Sequence, residues 1–449
     1  MMLSDIAIQI GGKISGPDAE FFGFSSDTRS LEAGDLYVAL TGESFDGNNF
    51  VEEAIKKGAA AAIVSKDINH DFPHIKVSDV HLALGKIASL IRRRSKAFLI
   101  AVTGSQGKTT VKEMIGSILG INYSTLVTKA NFNNTIGVPL TLLQLEDHHD
   151  YAVIEMGADC HGEVEFSAVM ARPDIALITN ANEAHVEGFG SLQGIVDAKG
   201  EIIDPTIADG RVILNADDRN VKSWISRAGN RNVVQFSESK PSAEYFASNI
   251  HIEAGGEVSF VLNTPDQSLP ISLHLLGNHN VINAVAAAAA ALEAGVELDE
   301  VKLGLESLMP VSGRLAPLFG LNECRVLDDT YNASPTSFKA AIDVLASFSE
   351  HKIVLAGDMR ELGGETKKFH EEIGKYAFQS GINELLAVGK LSAFTARGFG
   401  SKAKHFETME ALIDACKLKA NSSTTFLIKG SRGSEMELVV NSLREDGRV

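Results

Sequence analysis

The apolar residues of this chain fall into short runs separated by amphipathic stretches of helical length. Near the start, GDLYVAL (Gly34–Leu40), a helical pattern over Phe50–Lys57 and AAAAIV (Ala59–Val64) predict strand, helix, strand. FLIAV (Phe98–Val102) predicts a buried strand that runs into a glycine-rich turn. The stretch after it has Val111, Met114, Ile115 and Ile118 at i, i+3, i+4, i+7, one face of a helix. YAVIE (Tyr151–Glu155), IALIT (Ile175–Thr179) and VILN (Val212–Asn215) continue the alternation, which predicts a parallel sheet with helices on both faces. A polar, Asn/Ser-rich stretch near Ser237–His251 follows, then a helix over Val281–Ala294 closed by Gly295. From about residue 314 a second series begins: RVLDD, KIVLAGD, ELLAVG and TFLIKG. Four such strands separated by helix-length segments predict a separate doubly wound domain.

A chain of 449 residues exceeds what one hydrophobic core holds, so two or three domains are expected. The basic run Arg92-Arg93-Arg94 marks a change of composition and reads as a solvated helix end or linker. The net charge of −17 argues against nucleic acid or anionic lipid as partner, because either needs a basic footprint. No apolar stretch approaches a membrane span, and the start shows no secretory signal pattern. Three cysteines in so long a chain do not make a disulfide framework. A cytoplasmic protein is expected, with no membrane insertion.

The strongest chemical signal is Thr103-Gly104-Ser105-Gln106-Gly107-Lys108-Thr109-Thr110, placed between strand and helix. Glycines let the backbone turn tightly enough for its N–H groups to face phosphate oxygens. The helix N-terminus adds its positive end. Lys108 would bridge the β- and γ-phosphates, and the Thr109 hydroxyl would bind Mg²⁺. The first glycine of the full GxxxxGK[ST] pattern would fall at Val102, so the match is to the shorter TGxxGKT form. Such a loop serves kinases, GTPases, motors and ligases alike.

Further candidates narrow the field without settling it. Glu155 ends a strand, where a carboxylate faces the nucleotide crevice; a surface glutamate capping the next turn is the alternative. His185 can bind metal or orient phosphate, or be structural. Lys199 lies on a predicted helix, where most lysines are simply solvated. Asn280 and Asn283 share one face of a helix start and can read an adenine edge, though Asn280 can equally cap the helix.

Taken together, TGSQGKTT, KANFNNTIGVPLTLL, EMGADCHGE, ITNANEAHVEGFGS, AKGEI, LNADD, GNHNVINAVAA, SGRL, DDTYNASP, GDMRELG and KGSRGSEME resemble the Mur ligases of peptidoglycan synthesis, in order and from residue 26 to the C-terminus. The resemblance implies an α/β fold of three domains. These are a small α/β domain over 1–93 holding the UDP end of the substrate, a central P-loop parallel sheet over 94–312 binding ATP, and a Rossmann-like domain over 313–449. It implies an ATP- and Mg²⁺-dependent amide ligase, a monomer, that adds D-alanyl-D-alanine to UDP-N-acetylmuramoyl-tripeptide through an acyl phosphate.

By matched position, Gly104, Ser105, Gly107, Lys108, Thr109 and Thr110 hold phosphate, and Thr109, Glu155 and His185 hold Mg²⁺. Lys199 matches a lysine that several relatives carbamylate, making a second metal ligand. Asn280 and Asn283 serve the adenine side; Arg314 and Asp329 complete the ATP site on closure. Ser26-Asp27-Thr28-Arg29 resembles the uridine-end motif, Asn134 and Thr135 the loop meeting the UDP-sugar, and Asn332 and Ser334 are candidates for the incoming dipeptide. The chain departs from the family at Asp159-Cys160, where relatives commonly have Asn-His. A DNPR motif, the mark of the diaminopimelate-adding relative, is absent. Other readings are a folylpolyglutamate synthetase-like amino-acid ligase and a nucleotide-switched binding protein.

Overall fold

The computed structural model describes residues 1–42, 45–68, 71–182 and 186–444. Three sheets follow one another along the chain. The first has five strands in the order Lys13–Ser15, His74–Lys76, Ala61–Val64, Leu36–Val38, Phe24–Ser25; its first pair is antiparallel and the rest are parallel. The third has six, in the order Ala316–Phe319, Arg325–Asp329, Thr424–Lys429, His351–Ala356, Glu384–Val388, Ala403–Phe406, with an antiparallel first pair.

The middle sheet carries the phosphate loop. Its nine strands run in the order Ser268–Leu276, Glu257–Asn263, Tyr245–Ile252, Asn232–Ser237, Arg211–Asn215, Ile175–Ile178, Phe98–Thr103, Tyr151–Glu155, Thr125–Val127. The strand Phe98–Thr103 lies between Ile175–Ile178 and Tyr151–Glu155, parallel to both. The chain goes to one side of it for two strands and then crosses to the other, so a crevice opens at the carboxyl ends there. Helices cover both faces. On one, Val111, Met114, Ile115 and Ile118 of the helix Lys108–Leu119 are wholly buried against the helix His279–Glu293 and the sheet. Each such side chain contributes roughly 1.5–3 kcal/mol by burial. On the other face, the helices Glu163–Ala171, Leu192–Gly200 and Val221–Ala228 close a second core.

The expected parallel central sheet continues into strands that the polar pattern did not predict. The polar stretch near Ser237–His251 contains the strand Tyr245–Ile252, which begins an antiparallel extension through Glu257–Asn263 and Ser268–Leu276. These strands bury alternate residues only, so their outward polar positions hide the strand signal that a fully buried run shows.

Arg92 corrects a second expectation. It does end a helix, Val80–Arg94, but it is buried. Its guanidinium donates to the carbonyls of Ala171 (2.7 Å), Ala97 (3.0 Å) and Arg172 (3.3 Å) and pairs with Asp174 at 2.8 Å. On the same helix, Gly85 lies so close to Met170 and Phe166 that a Cβ there would come within 2.9 Å and 3.0 Å of them. His81 Nε2 meets the Thr135 carbonyl at 2.8 Å. The helix Val80–Arg94 is therefore fastened to the central sheet's layer.

Candidate active site

The turn after Thr103 is shaped by contacts that leave no space for side chains. Gly104 has φ +145°, and a Cβ on it would lie 2.0 Å from Thr179 Oγ1. Gly107 has φ +79°, and its Cβ would lie 2.4 Å from Asn283 Oδ1. Thr103 Oγ1 donates to the Met156 carbonyl at 2.7 Å, and Gln106 N donates to Asn180 Oδ1 at 3.0 Å. Lys108, first residue of the helix, folds back so that Nζ donates to the Gly104 carbonyl at 2.7 Å. Desolvation pushes its pKa down, with Glu155 opposing.

Strand register brings the acid to this loop. Val102 pairs with Glu155, so Glu155 stands beside the turn at the carboxyl end of its own strand. It is only 1% exposed, which rules out the surface-cap alternative. Thr109 Oγ1 donates to Glu155 Oε1 at 3.1 Å and Asn133 Nδ2 donates to the same oxygen at 2.7 Å. Glu155 Oε2 is buried and has no partner among the described residues. A buried carboxylate oxygen left unsatisfied costs free energy, and a hard cation with oxygen ligands suits it. Glu155 and Thr109 therefore fit a divalent cation. Among the described residues no cluster of three or more His, Cys, Asp or Glu forms a metal cage. His185 lies outside the described residues.

Lys199 is not a solvated helix lysine. It is 2% exposed, its Nζ sits 5.1 Å from the centre of the Phe189 ring, and desolvation, reinforced by the charge of Lys108, pushes its pKa down to about 7.

The C-terminal sheet supplies the opposite wall. Asp329 and Lys429 are register partners at the carboxyl ends of adjacent parallel strands. Lys429 Nζ pairs with Asp329 Oδ2 at 2.6 Å and donates to the Asn332 carbonyl at 2.8 Å. Arg314 lies 3.9 Å over the Tyr331 ring and reaches across to donate to Thr109 Oγ1 at 2.9 Å. Ser334 caps the helix Pro335–Ala346, and its Oγ accepts from Gln106 Nε2 at 3.2 Å. Together these walls enclose a cavity of about 720 Å³.

That cavity gathers most of the residues marked in the sequence. Ser105, Thr110, Asn134 and Thr135 line it with the loop, Glu155 and Lys199; Asn280 and Asn283 line it from the central helix; Arg314, Asp329, Asn332 and Ser334 line it from the far wall. Asn280 is no cap: its side chain donates to the Leu276 carbonyl at 2.8 Å and accepts from Asn283 at 3.1 Å. Ser26-Asp27-Thr28-Arg29 does not line the cavity. There Arg29 pairs with Asp27 at 2.6 Å and holds its carboxyl below the usual range, while Lys57 donates to the Thr28 carbonyl at 2.7 Å. Lys429, Tyr331, Asn133 and Arg360 also line the cavity and were not marked from sequence. Lys429 had a signal, as the last residue of the strand run TFLIK.

Comparison with known proteins adds identity to this geometry. Models described as Mur ligase family, catalytic domain; Mur ligase middle domain; and Mur ligase, glutamate ligase domain match residues 20–92, 102–291 and 313–432. The chain is 42% identical to the UDP-N-acetylmuramoyl-tripeptide--D-alanyl-D-alanine ligase of Escherichia coli (strain K12), over 99% of this chain and 98% of that one. It is similar to a crystal structure of MurF from Acinetobacter baumannii, with TM-score 0.91, 34% identity and 98% of each chain covered. It is also similar to the MurF ligase of Thermotoga maritima in complex with ADP, with TM-score 0.84, 26% identity, and 94% of this chain and 96% of that one covered.

Proposed function

The chain belongs to the Mur ligase family, and from that premise we propose that it joins D-alanyl-D-alanine to UDP-N-acetylmuramoyl-tripeptide at the expense of ATP, in peptidoglycan precursor synthesis. The observation that carries the reading is the convergence on one cavity of the phosphate loop, Glu155 Oε2 (without a partner among the described residues), buried Lys199 and Arg314. A carboxylate and an amine do not condense at neutral pH, because an oxide is a poor leaving group. Transfer of the γ-phosphoryl group to a carboxylate oxygen of the tripeptide releases ADP and leaves an acyl phosphate. The dipeptide amine then attacks the acyl carbon, the C–O bond to phosphate breaks, and an amide and inorganic phosphate result.

Each residue has a part in this. Lys108 exchanges its bond to the Gly104 carbonyl for phosphate oxygens, and the loop N–H groups and helix end face the same charge. Arg314 neutralises charge on the transferring group from the far wall. Thr109, Glu155 and His185 would hold Mg²⁺, with Lys199, carbamylated, as a ligand to a second ion. When bound, Mg²⁺ offsets the repulsion between the anionic carboxylate and the anionic phosphates. Asn280 and Asn283 would serve the base of ATP, and Asp329, held by Lys429, fixes the wall that carries Arg314. Asn134 and Thr135 would meet the UDP-sugar, Ser26–Arg29 its uridine end, and Asn332 and Ser334 the dipeptide. Water would consume the acyl phosphate, so the contacts of Gln106 with Ser334 and of Arg314 with Thr109 would keep the cavity shut during transfer.

We take 1–93, 94–312 and 313–449 as the three working domains, a monomer as the acting form and the cytoplasm as its place. No helix among the described residues is long and apolar enough to cross a membrane.

The test is phosphate release from ATP with UDP-N-acetylmuramoyl-tripeptide, carrying lysine or diaminopimelate, and a panel of amine donors. D-alanyl-D-alanine should be the preferred donor, and Lys108→Ala should abolish release while its circular dichroism stays that of the parent. Release with another amine and none with this one would overturn the reading.

A further inference from the structure

Building on that function, we propose that Arg360 binds the free carboxylate of the incoming dipeptide and so makes the enzyme select an amine donor that ends in an acid. The donor has an amine at one end, a carboxylate at the other and two methyl groups between. Its carboxylate enters a low-dielectric cavity and needs a cation. Three cationic side chains line the C-terminal wall of the described cavity: Arg314, Arg360 and Lys429. Lys429 is 2% exposed and closed off by Asp329 and the Asn332 carbonyl. Arg314 is committed to Thr109 and the Tyr331 face, at the phosphate end.

Arg360 differs from both. Its backbone N–H donates to Ser431 Oγ at 2.9 Å, and one side-chain nitrogen, Nη2, donates to the Gly433 carbonyl at 2.8 Å. No carboxylate pairs with it among the described residues, and a guanidinium has five N–H donors, so it keeps donors for a ligand. Ser431 Oγ in turn donates to the Ala333 carbonyl at 3.4 Å, which links the Arg360 backbone through one hydroxyl to the Asn332–Ser334 turn. Beside it the cavity wall is made of Ala333, Ala340, Ala341 and Leu362, surfaces suited to methyl groups. Glu361 follows on the same wall.

The loop that carries Arg360 is fixed from behind. His370, 0% exposed, accepts from Met359 N at Nε2 (3.1 Å) and meets Thr395 Oγ1 at Nδ1 (2.8 Å). Asp358 Oδ1 accepts from Leu391 N at 3.0 Å and Ser392 N at 2.7 Å. An arginine on so constrained a loop can select geometry as well as charge.

The experiment compares D-alanyl-D-alanine with its C-terminal amide, in the full-length enzyme with ATP and the UDP-tripeptide. The parent should favour the acid, and Arg360→Ala should raise KM for the acid about 10- to 100-fold, the range for one charge-assisted contact. KM for the amide, for ATP and for the UDP-tripeptide should stay near the parental values. Arg360→Lys should recover part of the preference. Equal losses on acid and amide would show that Arg360 only stitches its loop to Gly433, and would overturn the proposal. Undiminished preference for the acid in Arg360→Ala would overturn it too. A parent with no turnover on the dipeptide defeats the functional reading itself, and this inference with it.

Discussion

Arg314 and Thr109 are joined by a 2.9 Å hydrogen bond, Nη2 to Oγ1, across the gap between the C-terminal and central sheets. The same hydroxyl gives its proton to Glu155 Oε1. A cation from one domain thus already touches the hydroxyl proposed, on the other, as a ligand to Mg²⁺. Arg314→Ala should lower kcat by about 100-fold or more, as loss of a preorganised charge-stabilising donor does. KM for ATP should move much less. Arg314→Lys should recover little, because an ammonium lacks the planar fork that spans Thr109 and stacks on Tyr331. Steady-state kinetics decide it, and a variant within threefold of the parent would remove Arg314 from the transfer step.

Lys199 offers a chemical handle. With its pKa pushed down to about 7, far more of its amine is neutral near pH 7 than in an ordinary lysine, and the neutral amine is the form that combines with CO₂. Protein equilibrated with ¹³C-bicarbonate at pH 8 should show a carbamate resonance that Lys199→Ala lacks. The resonance should fade as the pH is lowered through 7 to 6, as the amine protonates. Its absence in the parent at pH 8 would leave Lys199 an unmodified buried amine.

The sequence was most informative where residues are buried on all sides. Phe98–Thr103 and Tyr151–Glu155 read as strands because both faces of a parallel sheet are covered, and the helix after Gly107 read from its apolar stripe. The extension from Tyr245 to Leu276 was hidden because half its residues face outward. Lys199 and Arg92 show the same limit for single residues. A lysine on a helix and an arginine in a basic run look solvated, and only packing shows one beneath Phe189 and the other among four acceptors. Arg360 and Tyr331 reach the cavity only because the C-terminal domain faces the phosphate loop, a relationship between distant segments that no local pattern encodes.

His370 makes stability depend on acid. Burial pushes its pKa below the ordinary 6.5, while its contact with Met359 and the charge of Asp358 oppose this. Between the two values the unfolded chain binds a proton that the folded one excludes, so this residue's contribution to stability is lost as pH falls below 6.5. One such proton accounts for at most about 1.4 kcal/mol per pH unit. His370→Gln keeps an acceptor near Met359 N and does not titrate. Denaturant melts at pH 7.5, 6.5 and 5.5 should show a shallower acid decline for the variant; parallel declines would place the sensitivity elsewhere.

Arg92→Ala should destabilise the protein by about 3 kcal/mol, because it leaves the half-buried Asp174 without its cation and three carbonyls without their donor. The Asp174 carboxylate still accepts from Leu99 N at 2.8 Å, which limits the loss. Urea unfolding followed by circular dichroism measures this. A cost below about 1 kcal/mol would mean that water replaces the guanidinium easily.

The same arginine has a consequence for which molecules the enzyme accepts. Because Arg92, Gly85 and His81 tie the helix Val80–Arg94 to the central layer, the separation between the Asp27–Arg29 turn and the phosphate loop is set by the fold. On the proposed assignment of these two turns, a nucleotide-sugar anchored at the first and reacting at the second must have the right reach. A stem peptide one residue shorter would leave its acid group short of the transferring phosphorus, and a longer one would overshoot it. Chain length, and not only side-chain chemistry, would then be read by a rigid calliper.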